Sequence, residues 1–156
     1  MAEEYVKEYV KWNTYKQTLD QKEFASLFST REIWWCALGV NIGSEEDGKN
    51  ESFERPILIL KKVNGDRVLA IPITSKIANY RNRMNISLLG GESQLLFAQM
   101  RTVSTKRLLR RIQRVKTVIF QNIIISLTMY ILESDEESEA PPERRGVALT
   151  KGDSSI

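Results

Sequence analysis

Short apolar runs separated by turn-forming residues dominate the chain from residue 32 to residue 115, and this pattern limits the possible folds most strongly. Each run is short enough for one strand and rich in β-branched or aromatic residues; the runs are 32–38, 55–62, 67–73, 84–89, 94–100 and 110–115. Asn64-Gly65 and Gly90-Gly91 are typical of tight hairpin turns with positive φ. No long helix alternates with these runs. The pattern therefore predicts a mainly β fold, a small barrel of antiparallel hairpins.

Helices are predicted on either side of this region. Residues 3–20 carry aromatic residues at helical spacing, residues 22–28 predict a second short helix, and residues 104–109 predict a helical turn. The segment 117–132 has no charged residue and predicts a helix with one apolar side, formed by Phe120, Ile123, Ile124, Leu127 and Ile131. This segment is shorter than the ~20 residues that span a bilayer, so we expect it to face the core or a second copy of the chain, with no membrane as partner.

Charge is distributed unevenly along the chain. Residues 133–156 hold seven acidic and three basic residues among Ser, Pro and Gly, and predict a disordered acidic tail. The first 132 residues hold 20 basic and 13 acidic residues, which favours a polyanionic partner, although a solvated basic face is the alternative. The chain is therefore divided into an N-terminal extension (residues 1–29), a β domain (residues 30–132) and an acidic tail (residues 133–156).

The residue types that the chain lacks restrict its chemistry. It has no histidine and one cysteine, Cys36, which excludes an internal disulfide framework and argues against a zinc site. Any acid–base chemistry must therefore proceed without imidazole. The charged sequence at the N-terminus is unlike a signal peptide, and we expect a cytoplasmic protein.

Four motifs occur in order along the β domain. They are Glu32-Ile33-Trp34-Trp35; Gly43-Ser44-Glu45 with Phe53-Glu54-Arg55-Pro56-Ile57-Leu58-Ile59; Ile71-Pro72-Ile73-Thr74-Ser75; and Gln99-Met100-Arg101-Thr102-Val103-Ser104. As a set they resemble the MazF/PemK toxins of type II toxin–antitoxin systems, over roughly residues 31–132, with Arg31 at the position of the family's leading glycine. The N-terminal extension and the long 47–52 loop are similar to a longer-chain branch of that family.

The resemblance implies both a fold and a function. The fold is an SH3-like β-barrel with a C-terminal helix, preceded here by the helical extension. The implied activity is cleavage of single-stranded RNA, such as mRNA, with no metal and no cofactor. The implied partners are a second copy of the chain in a homodimer and a cognate antitoxin that silences the enzyme.

The resemblance also implies catalytic roles for Arg55, Thr74 and Glu45. Cleavage through the ribose 2′-OH requires removal of a proton and stabilisation of extra charge on phosphorus. The arginine fork suits the phosphoryl oxygens, the threonine hydroxyl can donate to one of them, and Glu45 can accept the 2′ proton or orient Arg55. Without the resemblance, the same residues are explained as a surface strand start, a strand-end cap and a solvated acidic loop.

RNA binding is predicted for a set of polar and basic residues near these three: Ser75, Lys76, Tyr80, Arg81, Arg83, Gln99 and Arg101. Tyr80 beside Arg81 offers a stacking surface next to a phosphate contact, although Tyr80 can equally pack on the barrel. Gln99 is expected to hydrogen-bond either a base or a backbone group. Trp34 and Trp35 face opposite sides of their strand, and neither is assigned to RNA.

Two departures from the family pattern leave alternatives open. Ser44 and Ala98 stand where the PemK branch has histidine and aspartate, so the chemistry would depend on the MazF-like set of Arg55, Thr74 and Glu45. One alternative is a non-catalytic, gyrase-binding toxin on the same barrel, whose Trp-Gly-Ile-like helix end this chain lacks. The other is an SH3-like interaction or nucleic-acid-binding module.

Overall fold

The computed structural model describes residues 5–25 and 27–133. The strands of this part of the chain are β1 (Glu32–Ala37), β2 (Glu54–Lys62), β3 (Arg67–Thr74), β4 (Arg83–Leu88), β5 (Gly91–Leu96), β6 (Arg101–Ser104) and β7 (Leu108–Arg114). Its helices are α1 (Tyr9–Asp20) and α2 (Thr117–Leu132), and short 3-10 turns span Phe97–Gln99 and Thr105–Arg107. The predicted acidic tail lies outside the described residues from residue 134 onward.

The strands form one curled antiparallel sheet in the order β4-β5-β3-β2-β1-β7. One edge of β3 pairs with β2, and its other edge is shared by two strands. On that edge Arg67–Ala70 pairs with β6, and Ile73–Thr74 pairs with β5. A register shift between Ile59 and Lys61 in β2 adds a bulge, which bends a strand and increases its twist. The prediction of a mainly β, barrel-like fold with a helix at each end is confirmed.

The two faces of the sheet support separate hydrophobic clusters. Because side chains alternate along a strand, neighbouring residues of β2 enter different clusters. One cluster contains Ile33, Leu58, Ile71, Ile73 and Leu95, and α2 adds Ile123 and Leu127. The other contains Cys36, Ile57, Ile59, Val68, Val103, Leu108 and Phe28. A third, smaller cluster joins Trp12 and Leu19 of α1 to Ala37, Val40 and Phe53.

The α2 helix has the predicted bounds. Ile123 and Leu127 are buried, and Phe120 is partly buried against the same cluster. Ile124 and Ile131 were also predicted for the apolar side, and both are exposed. Adjacent helical residues are rotated by about 100°, so a helix that buries Ile123 turns Ile124 away from the sheet. Within residues 5–25 and 27–133, no helix has the length and apolar character that a membrane crossing requires.

The N-terminal extension differs from the prediction in two places. The α1 helix begins at Tyr9, and residues 5–8 are irregular, because Lys7 is bonded to a distant loop. The helix predicted for residues 22–28 is wrong, since none of the described residues in that range is helical. Isolated helices this short are unstable. The segment is held by single side chains, for example by the buried Phe28.

Both predicted hairpin turns differ in detail from the structure. Asn64 and Gly65 lack positive φ, because the Asn64 side-chain oxygen accepts hydrogen bonds from the amides two and three residues later, at 3.2 and 3.1 Å. This is an Asx turn rather than a glycine-dependent one. In the second hairpin Leu89 (φ 52°) and Gly90 (φ 77°) form the turn, one residue before the predicted Gly90-Gly91 pair.

The chain between residues 91 and 108 was predicted less well. β5 covers Gly91–Leu96 rather than residues 94–100, because a 3-10 turn interrupts the apolar run at Phe97. β6 was not predicted, since four residues give too short an alternation to recognise. The helical turn predicted for residues 104–109 is present as Thr105–Arg107, capped by the Ser104 hydroxyl, and β7 then starts at Leu108.

Candidate functional site

Arg55 lies near the start of β2 and is 8% exposed. Its guanidinium donates two hydrogen bonds, from Nε to the Asp47 carbonyl (2.7 Å) and from one terminal nitrogen to the Ile73 carbonyl (3.2 Å), and its other terminal nitrogen forms an ion pair with the Glu46 carboxylate (2.7 Å). Burial lowers the pKa of the guanidinium, and the Glu46 and Asp47 carboxylates partly oppose that shift. Arg55 is therefore a buried, fixed positive charge and not a mobile surface group.

The carboxylate that orients Arg55 is Glu46, which the sequence did not single out. Glu45, predicted for this position, is exposed, and its carboxylate accepts a hydrogen bond from the Ile42 amide at 3.0 Å. The prediction that Glu45 orients Arg55 is therefore wrong. Three consecutive acids occur at residues 45–47, and only the path of the loop decides which of them turns inward.

Thr74 lies at the end of β3, opposite Arg55. Ile57 pairs with Pro72 in the antiparallel register of β2 and β3, which brings Arg55 and Thr74 onto neighbouring strands at the same level. Thr74 is buried, and its hydroxyl oxygen accepts a hydrogen bond from the Lys76 amide at 3.2 Å. Thr74 thus caps its own loop, as the structural alternative expected, and a hydroxyl that accepts one hydrogen bond also carries a proton that can be donated.

Two cavities meet at Arg55. The larger, about 520 Å³, lies between the loop at residues 43–50 and the N-terminal extension, with Lys76 at one side. The smaller, about 330 Å³, is lined by Trp35, Pro56, Thr74, Ser75 and Leu88, among others. A group bound at Arg55 therefore has space on both sides, and Thr74 and Ser75 lie on one of them.

The loop after Thr74 carries most of the predicted RNA-binding residues, and buried Gln94 holds it. The Gln94 side chain accepts from the Ala78 amide (3.0 Å) and donates to the Ala78 carbonyl (2.9 Å). Arg83 donates to the Lys76 carbonyl at 3.1 Å and lies 5.0 Å from the centre of the Tyr80 ring. Tyr80 is half exposed, so its side chain is not packed into the barrel, which was the alternative to a surface for stacking. The sequence analysis missed Gln94, whose contacts are not local.

Gln99 and Arg101 support the loop at residues 41–47. Gln99 accepts from the Glu46 amide and donates to the Ser44 carbonyl, both at 3.2 Å. Arg101 donates to the Asn41 side-chain oxygen at 3.3 Å. Of the two partners expected for Gln99, a base or a backbone group, the structure shows backbone groups. The RNA contacts predicted for Gln99 and Arg101 would compete with these bonds.

Two further basic residues, one on the sheet and one in the loop after β3, are paired with carboxylates. Arg110 forms two 2.8 Å hydrogen bonds to Glu54 and stacks 5.0 Å from the Trp35 ring centre. Arg81 pairs with Glu133 at 2.7 Å. These two arginines are therefore already engaged by carboxylates within the fold.

Glu32 is a buried carboxylate of β1 with several donors around it. It accepts hydrogen bonds from the Trp34 ring nitrogen (2.9 Å), the Ser29 amide (2.9 Å) and Arg111 (3.3 Å). Burial alone raises the pKa of Glu32, but the three hydrogen bonds and the Arg111 charge outweigh it, so the pKa lies below the ordinary glutamate value. Trp34 packs against the second hydrophobic cluster, whereas Trp35 lines the smaller cavity.

Three of the solved structures that this chain resembles illustrate the shared fold. MazF from Deinococcus radiodurans aligns with a TM-score of 0.56 and 18% identity, over 72% of this chain and 100% of that one. Mycobacterium tuberculosis toxin MazF-mt6 gives 0.52 and 16%, over 67% and 99%. A mycobacterial endoribonuclease in complex with its cognate antitoxin gives 0.52 and 14%, over 67% and 95%. No curated protein sequence matches the chain significantly.

These similarities show that the chain has the curled β-sheet fold of the MazF toxins. The family model for PemK-like, MazF-like toxins of type II toxin–antitoxin systems matches residues 29–130. The chain therefore belongs to this family, and its resemblance to MazF and PemK toxins is confirmed. The match ends within α2 and does not include α1.

Proposed function

We propose that the protein is an endoribonuclease that cleaves single-stranded RNA without a metal ion. One observation carries the proposal: a fixed Arg55 and the Thr74 hydroxyl lie on adjacent strands where two cavities meet. Family membership supports it, as does the fold shared with a mycobacterial endoribonuclease.

In the proposed reaction the ribose 2′-OH loses its proton and its oxygen attacks the adjacent phosphorus, the bond from phosphorus to the 5′ oxygen breaks, and the departing 5′ oxygen takes up a proton from water. The products are a 2′,3′-cyclic phosphate and a 5′-OH end. Arg55 stabilises the charge that develops on the phosphoryl oxygens, and Thr74 donates a neutral hydrogen bond to one of them. Glu46 is held in the ion pair with Arg55. Acceptance of the 2′ proton is therefore assigned to Glu45, which lines the larger of the two cavities beside Arg55.

The proposed RNA contacts lie in the loop at residues 75–83. Ser75 and Lys76 are next to Thr74, and Arg81 and Arg83 extend the basic surface along the loop. Half-exposed Tyr80 provides a face for base stacking, with the Arg83 guanidinium beside it. Gln99 and Arg101 act indirectly in this proposal, by holding the loop that carries Glu45 and Glu46.

The proposed partners are a second copy of the chain and a cognate antitoxin. Val118, Ile125, Met129 and Leu132 expose apolar side chains along α2, and such a surface is typical of an interface. Two of the similar toxin structures are complexes with an antitoxin, which supports a protein partner of that kind.

A cleavage assay tests the proposal. We expect a single-stranded RNA to be cut at a short motif in the presence of EDTA, with 5′-OH and cyclic phosphate ends. Products with 5′-phosphate ends, or strict dependence on Mg²⁺, would contradict the mechanism. The burial of Arg55 under two hydrogen bonds and an ion pair favours a second candidate, a non-catalytic toxin that binds its target. That candidate predicts RNA or protein binding with no cleavage.

A further inference from the structure

The N-terminal extension lies almost wholly outside the family match. It packs against both ends of the loop between Gly39 and Phe53, and this loop carries Glu46 and Asp47, which hold Arg55. The Trp12 ring lies against Gly39 at the start of this loop, where an added Cβ would come within 2.3 Å of the ring. Trp12 and Tyr15 both contact the Phe53 ring at the end of the loop, with centroid distances of 5.5 and 6.2 Å. Position 39 therefore needs glycine for two reasons, its φ of +90° and the close approach of the indole.

Lys7 extends this contact along the loop itself. Its ammonium donates to the Asn41 carbonyl at 2.6 Å and the Gly43 carbonyl at 3.0 Å, and it lies 3.3 Å from the Asp47 carboxylate. Two of the three ammonium donors are therefore used by carbonyl groups of the loop, and the charge is balanced by the Asp47 carboxylate. The Tyr9 hydroxyl adds a 3.2 Å bond to the Asn41 carbonyl, and the Tyr5 hydroxyl adds a 3.3 Å bond to Asp47.

The atoms that Lys7 holds are close in sequence to the atoms that hold Arg55. The Asp47 carbonyl accepts from Arg55 Nε, while the Asp47 carboxylate faces Lys7 and also accepts from the Asn41 amide at 2.5 Å. Glu46, next to Asp47, pairs with the Arg55 guanidinium. A shift of the loop away from Lys7 would therefore move two of the three partners of Arg55, the Asp47 carbonyl and the Glu46 carboxylate.

We propose that the N-terminal extension is a positioning element of the active site, in which Lys7 fixes the 41–47 loop so that Glu46 stays paired with Arg55. Lys7 is a positioning residue, because it touches the loop and not the reacting atoms. The catalytic part of this inference rests on the proposed ribonuclease function, but the structural part does not.

Lys11 supplies a matched control within the same extension. It is a lysine of α1 that pairs with Glu8, and its side chain is 73% exposed against 22% for Lys7. Lys7→Met and Lys11→Met remove the same charge and keep a similar unbranched side chain. Within residues 5–25 and 27–133, Lys11 forms no hydrogen bond or ion pair with residues 41–47, so only the first substitution should release them.

Hydrogen exchange of the loop amides tests the structural part. In Lys7→Met we expect the Asn41, Glu46 and Gly48 amides to exchange about tenfold faster or more, the ratio that corresponds to one lost hydrogen bond to a charged group. Amides in β2 and β3 should keep the exchange of the parent, as should the loop amides in Lys11→Met. Unchanged loop exchange in Lys7→Met would overturn the proposal, whether or not the protein cleaves RNA.

Cleavage kinetics test the catalytic part. If the parent is active, Lys7→Met should lower kcat by up to about a hundredfold and change KM little. The reason is that Arg55 loses its fixed position when its loop partners move, while the RNA-binding surface remains. A looser loop with unchanged kcat would overturn the positioning role. If the parent does not cleave RNA, the proposed function fails, and hydrogen exchange alone decides whether Lys7 holds the loop.

Discussion

Replacing Arg55 by alanine should abolish cleavage, and the structure also predicts what it does to folding. The substitution removes both hydrogen bonds of the guanidinium and its ion pair with Glu46. Ile73 is buried and its carbonyl loses a partner, whereas Glu46 keeps a quarter of its side chain exposed and stays hydrated. A buried acceptor without a partner costs about 1–3 kcal/mol.

Together with the lost packing of the arginine stem, we expect the free energy of unfolding to fall by about 2–4 kcal/mol, or about 5–15 °C in Tm. That leaves a domain of ordinary stability folded at 25 °C. Loss of a preorganised donor to a developing negative charge costs about two to three orders of magnitude in rate. RNA affinity should change only a fewfold, since the proposed binding loop keeps Lys76, Arg81 and Arg83.

The assay is single-turnover cleavage at a temperature well below the Tm of each variant, with binding measured separately. Arg55→Lys should rescue little, because an ammonium cannot reproduce the fork that holds three acceptors. Arg67→Ala is the matched control: Arg67 begins β3, its side chain is 54% exposed, and its substitution should leave the rate unchanged. A folded Arg55→Ala protein that cuts RNA within a fewfold of the parent would refute the assignment, as would a parallel loss of binding.

Three further predictions concern other parts of the molecule. Thr74→Ala should reduce the cleavage rate less than Arg55→Ala does, because it removes a neutral donor; an equal or larger loss would contradict this ranking. Glu32 has a lowered pKa in the folded state, so it contributes stability above the ordinary glutamate pKa and loses it as the pH falls through the lowered value. Glu32→Gln should therefore weaken the dependence of unfolding free energy on acid pH in urea titrations, and an unchanged slope would refute this. Ile125→Glu, at an exposed position of α2, should convert a homodimer to monomer in sedimentation at micromolar concentration; a parent that is already monomeric would exclude that interface.

Elements with strong local signals were predicted well. The apolar run of β1 and the charge-free α2 appear in the structure almost as predicted, because the spacing of their apolar residues matches their own secondary structure. The helix predicted for residues 22–28 failed, because its few residues are held by single contacts such as that of Phe28. At Asn64 the side chain competed with the glycine turn and formed an Asx turn instead.

The site was predictable only where a motif carried it. Arg55 and Thr74 follow from their motifs, and the sheet register then brings them together. Glu46, Gln94 and Lys7 were missed, because their side chains contact residues 9 to 40 positions away, which only the fold reveals. Local composition shows a charged or polar residue at each of these positions, but not which partner it holds.

The most direct test of the central claim uses an RNA in which only the 2′-OH at the cleaved nucleotide is replaced by hydrogen. We expect this substrate to bind like the unmodified RNA and to remain uncut at that position, because the attacking oxygen is missing. Cleavage of the substituted RNA at a rate comparable to that of the parent RNA would contradict the account, because the nucleophile would then come from elsewhere than the substrate.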